Sequence, residues 1–119
     1  MVNRRAKRPN DEPFRFRVSD SLAVPLRGHM LRLRLLEGGP AVGDLGVGRR
    51  LTLKSPTGAA RTITIRDHAV TGGRPTQERL DRTGEFDVII SAEDAGRGEE
   101  LVGIGWVVTG PVDGKGGVR

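Results

Sequence analysis

Hydrophobic and polar positions alternate along most of this chain with a period of two. Phe14, Phe16 and Val18 are separated by Arg15 and Arg17, and Leu31, Leu33 and Leu35 by Arg32 and Arg34. Leu51 and Leu53 alternate with Arg50, Thr52 and Lys54, and Ile63 and Ile65 with Thr62, Thr64 and Arg66. Phe86, Val88 and Ile90 follow the same rule, as do Ile104, Trp106 and Val108. Successive strand side chains point to opposite faces, so each run predicts a strand with one buried and one solvated side. That is the pattern of an antiparallel sheet.

The 18 glycines and 7 prolines fall between these runs, where turns need them. Ser55-Pro56-Thr57-Gly58 predicts a tight hairpin turn between the third and fourth strands. Helix has little room: only Ala92 to Glu100 offers a single turn, beginning near Ser91 as a cap. Six short strands with no helices must cover their apolar face against one another. Closing the sheet on itself does this and removes reactive strand edges, so the expected fold is all-β, a small six-stranded closed barrel. A sandwich is the alternative.

Composition sets the bounds of this picture. At 119 residues and 35% hydrophobic, the chain has material for one core. Residues 1–13 are polar and basic with two prolines, and are expected to be a disordered tail. Residues 14–111 form the barrel domain, and 112–119 a flexible Gly-rich tail. The absence of cysteine removes disulfides, thiol catalysis and Cys-based metal sites. No window is apolar enough to span a membrane as a helix, and the basic N-terminus lacks the apolar stretch of a secretory signal. The expected address is the cytoplasm. The net charge of +5 belongs mainly to Arg4, Arg5, Lys7 and Arg8, and without them 16 basic residues face 15 acidic ones.

The order of runs and glycine turns resembles domain II of the translational GTPases, such as elongation factor Tu. The segment FRFRVSDSLAVPLRGHMLRLRLLEGG is similar to the opening of that domain, with Phe14–Asp20, Val24, Arg27-Gly28 and Leu31–Gly38 in the matching places. GVGRRLTLKSPTG resembles its next strand and hairpin through Gly48, Leu51, Leu53 and Gly58. DRTGEFDVIISAEDAGRGEELVGIGWVVTGP resembles its closing pair of strands. The resemblance implies a Greek-key-like six-stranded barrel that meets RNA or the small ribosomal subunit. The link EGGPAVGDLGVGRR is longer than that family's. The GTPase domain has no counterpart here: no Gly-x-x-x-x-Gly-Lys-[Ser/Thr] occurs, so GTP hydrolysis does not carry over.

Catalytic chemistry finds no foothold in the residues, and none is expected. His29 and His68 lie at strand edges at no metal-ligand spacing, and a catalytic His needs positioned partners. Glu93-Asp94 and Glu99-Glu100 are adjacent pairs that splay apart rather than form a dyad. Ser19, Ser21, Ser55 and Ser91 sit in no nucleophile elbow. No cofactor is expected.

The candidate chemistry is anion binding. Arg15, Arg17, Arg32 and Arg34 fall on the outward side of the first two strands, so neighbouring strands would gather four guanidinium groups. Their partners are either carboxylates of nearby strands, such as Asp87, or phosphates. The polar loop Thr71–Arg82 adds Arg74, Arg79 and Arg82. All four aromatics are placed inward, which leaves no platform for stacking bases. Two readings stay open: a non-catalytic module contacting RNA or the ribosome, and a protein-interaction or regulatory barrel. A small-molecule carrier ranks last, because so few strands leave a lumen that side chains fill.

Overall fold

The computed structural model describes residues 13–68 and 76–112. The strands are β1 (Phe14–Val24), β2 (Gly28–Glu37), β3 (Arg50–Lys54), β4 (Ala60–Thr64), β5 (Asp67–His68), β6 (Glu85–Ile90) and β7 (Val107–Gly110). Two short helices, α1 (Gln77–Thr83) and α2 (Ala92–Ala95), join them. So do 3₁₀ turns at Val42–Leu45 and Gly98–Glu100. Among the described residues no helix is long and apolar enough to cross a membrane.

All pairings are antiparallel, in the order β4-β3-β7-β1-β2-β6-β5. The chain is therefore mostly β, as its alternation requires, but the six-stranded closed barrel is not what forms. There are seven strands in one sheet, and its edges β4 and β5 do not pair with each other. The physical reason lies in the fourth apolar run. Ile65 still donates to Arg49 O beside β3, but Arg66 donates to Ile89 O beside β6. The run bends there, so its first half ends one edge of the sheet and its second half begins the other.

The inward positions of the alternating runs do make the core. Phe14, Phe16, Val18, Leu31, Leu33, Leu51, Leu53, Ile63, Ile65, Phe86, Val88, Ile90 and Val108 are buried. Leu35 and Trp106 pack against them half-buried. Ile104 is the exception at 62% exposed. It belongs to a turn in which Trp106 N donates to Gly103 O, and β7 begins only at Val107. Leu45, Leu80, Ala95 and Val102 complete the core from outside the sheet.

α1 lies inside what reads as a polar loop. Thr76 caps it by accepting from Arg79 N, and Gly84 closes it with φ +70°, its N–H donating to Leu80 O. Only Leu80 faces the core, too little for a periodicity to register. α2 begins at Ser91 as expected, the hydroxyl accepting from Asp94 N. The Ser55–Gly58 hairpin also forms, with Gly58 N donating to Ser55 O at 3.0 Å.

β1 and β2 run much farther than their alternation. A register shift between Val18 and Asp20 turns Ser21 and Ala23 toward the face that carries His29 and Leu31. The hairpin ends at Pro25–Arg27, with Leu26 fully exposed at φ +68°.

Candidate functional site

The register decides the fate of the four arginines. Arg15 lies opposite Glu37, Arg17 opposite Arg34, and Asp20 opposite Arg32 on β1 and β2. On the other side of β2, Arg32 faces Asp87 and Arg34 faces Glu85. The structure does bring the four arginines onto one outer surface, and it brings carboxylates with them. Arg32 meets Asp87 through both Nε (3.0 Å) and Nη2 (3.1 Å), the planar fork matching the carboxylate. That hydrogen bonding, with the Asp87 charge, raises the Arg32 pKa above its ordinary value. Arg34 reaches Glu85 at 3.3 Å and Arg15 reaches Glu37 at 3.6 Å. Arg17 has no ion pair among the described residues and faces a like charge, which costs stability.

Exposed ion pairs contribute about 0–1 kcal/mol, and the Arg32–Asp87 fork belongs at the upper end because Asp87 is only 19% exposed. A double-mutant cycle with Arg32→Gln and Asp87→Asn, read by urea denaturation, is expected to give a coupling of about 1 kcal/mol. A coupling near zero would mean the two charges are held independently.

The second set of candidates divides. Arg79 and Arg82 lie on α1, where Arg82 pairs with Glu78 at 3.6 Å; Arg74 lies outside the described residues. Gln77 ties the helix to the turn before β3, accepting from Val42 N and donating to Pro40 O.

The histidines are built into the packing. His68 Nε2 lies 2.8 Å from Leu45 O, which makes it the protonated nitrogen, and the ring meets Phe86 edge-on. His29 Nε2 lies 2.7 Å from Ser21 Oγ, and that hydroxyl also donates to Val102 O at 3.1 Å. The Ser–His pair comes from the hairpin register beyond the bulge, which alternation alone does not reveal. It has no oriented third group among the described residues, and its hydroxyl is committed to a carbonyl, so it reads as a clip between β1 and the 101–105 segment.

Burial lowers the His29 pKa below its ordinary value of 6.5. The unfolded chain then binds more protons than the folded one below that pH. The stability from neutral His29 is complete above pH 6.5 and is lost as pH falls toward the lower folded value. His29→Gln is expected to flatten the fall in denaturation midpoint between about pH 7 and 5. An equally steep fall in that variant would assign the effect elsewhere.

Two further features lie outside the reach of composition and periodicity. Among the described residues no cluster of three or more His, Cys, Asp or Glu is placed to hold a metal ion. Arg61, on the inward side of β4 opposite Leu53, reaches the end of α2 and beyond. Its guanidinium donates to Asp94 O (2.9 Å), Ala95 O (2.7 Å) and Glu100 O (2.8 Å). It also stands 5.4 Å from the Trp106 ring centre, so the one aromatic with accessible surface already carries a cation. The only sequence signal for Arg61 is a long basic residue at a position whose register neighbours are all apolar.

Compared with models of known protein families the chain matches none, and no curated protein matches it.

Proposed function

We propose that this protein is a non-catalytic binding module that contacts RNA, free or within the ribosome, and acts in the cytoplasm. The observation that carries the reading is a set of exposed cations to which the fold gives no ion-pair partner among the described residues, although those residues as a whole are nearly neutral. Arg17, Arg49, Arg50, Lys54, Arg66, Arg79 and Arg97 are all exposed, and none has an ion pair among the described residues. Phosphates supply the counter-charge such groups lack, with release of bound counterions as the driving force. The lineage proposed for the fold, domain II of translational GTPases in an open seven-stranded form, rests on the motif matches alone. Fluorescence anisotropy with labelled RNA at two salt concentrations tests the function. Binding should be measurable at 50 mM salt and weaken steeply by 200 mM; no binding at the lower salt would end the reading.

The second reading, a protein-interaction module, is favoured by the hairpin tip. Leu26 is fully exposed at a positive φ, and Leu22, Leu101 and Ile104 are exposed too. A stoichiometric protein partner that survives nuclease and is lost with Leu26→Ser would decide for it.

A further inference from the structure

Outward side chains of four strands line up in rows. Lys54 faces Val107, Val107 faces Arg17, and Arg17 faces Arg34, so one row crosses β3, β7, β1 and β2. The next row holds Thr62, Thr52, Thr109 and Arg15. Arg50, opposite Thr64, begins a third. The intervening residues Leu51, Leu53, Ile63, Phe16 and Val108 are buried, which fixes the named side chains on the opposite, solvent face. Strands lie about 4.8 Å apart, so Lys54 and Arg17 stand about 10 Å apart along the first row.

Charge on this outer surface is sorted by strand. The carboxylates borne by its strands are Glu37 on β2, Glu85 and Asp87 on β6, Asp67 on β5, and Asp20 on β1 beyond the bulge, and Asp94 of α2 reaches the β4 edge, where it accepts from Thr64 N. The strands β3, β4 and β7 carry no Asp or Glu at all. Arg32 and Arg34 are consequently paired, while Arg17, Arg50 and Lys54 have no ion pair among the described residues. The hydroxyls of Thr52, Thr62 and Thr109 have no hydrogen-bond partner among the described side-chain bonds either.

We infer that this β4-β3-β7-β1 face is where RNA sits, and that it takes the phosphate and ribose backbone rather than the bases. The inference rests on the RNA reading above. Three cations without an ion pair among the described residues match phosphate, and threonine hydroxyls donate to phosphate oxygens or bond the ribose 2′-OH. Base stacking has nothing to use: Phe14, Phe16 and Phe86 are buried, and Arg61 stands over Trp106. The contact is therefore indifferent to sequence. The paired arginines Arg32 and Arg34 lie beside it as structure.

The experiment follows the salt dependence of binding of a labelled 20-nucleotide oligouridine to the full chain. Each phosphate contact on a single strand contributes about 0.7 to the slope of log affinity against log salt. The triple variant Arg17→Gln, Arg50→Gln, Lys54→Gln should lower the slope by about 2 and weaken binding at least tenfold at 50 mM salt. Double replacement Arg34→Gln, Glu85→Gln, which removes a pair at constant net charge, should leave the slope unchanged. Oligouridine, oligoadenosine and oligocytidine should bind the wild type equally. If the triple variant melts early, each single replacement should still lower the slope by about 0.7. A wild-type slope in the triple variant, or strong preference for one base, overturns this surface while leaving RNA binding intact. No binding by the wild type overturns the RNA reading itself.

Discussion

Replacing Gly28 with alanine should cost about 4 kcal/mol, a large part of the about 5–15 kcal/mol that holds a small protein folded. Gly28 begins β2 at φ +124°, a conformation that L side chains rarely adopt. A Cβ there would overlap the carbonyl oxygen of Ile90 on β6, and backbone in a pleated ladder has little freedom to retreat. Strain of about 1–3 kcal/mol thus adds to overpacking of similar size. With a urea m-value of about 1.5 kcal/mol/M, the midpoint should fall by about 2–3 M. Gly58→Ala is the control. Its φ is +99°, yet nothing lies within 4 Å of its Cβ position, so only the conformational cost remains, about 1 kcal/mol. Equal losses in the two variants would show that overlap with Ile90 carries no weight.

Arg61→Ala should be the second most damaging substitution, at about 3 kcal/mol. It takes the donor from the carbonyls of Asp94 and Glu100, leaves Ala95 O with Val102 N alone, and uncovers Trp106. Hydrogen bonds from a charged group contribute about 1.5–3 kcal/mol each, and three that share one side chain do not add in full. The cation also complements the carbonyl end of α2. Arg61→Lys should recover less than half of the loss, because an ammonium cannot serve three fixed acceptors as the planar fork does. Amide hydrogen exchange should quicken first over 91–102, where the released carbonyls lie. A loss below about 1 kcal/mol, or full rescue by lysine, would mean water replaces the guanidinium at little cost.

How much of this was readable from the chain depends on the range of the interaction. Period-two alternation found six of the seven strands and nearly all of the sheet's inward residues, because a strand's faces are set by its neighbours in sequence. It misplaced Ile104, since two flanking glycines open a turn where the pattern continues. It passed over α1, whose single core residue Leu80 carries no period, although Thr76 and Gly84 mark both ends. The clip between Ser21 and His29 needs the bulge after Val18, and a bulge leaves no residue type as its signature.

The candidate site shows the same division. That Arg15, Arg17, Arg32 and Arg34 point outward follows from alternation alone. Their partners follow from register, which sets Asp87 and Glu85 opposite two of them and leaves Arg17 facing a like charge.

What the residues determine by themselves is a mostly β, antiparallel fold, its buried side, and the lack of cysteine chemistry, all local or compositional facts. Only the tertiary structure decides that the sheet stays open with β4 and β5 at its edges, because a bend at Ile65–Arg66 shifts one run between two partners. It alone sorts the surface charge as well, since pairing across strands depends on contacts tens of residues apart.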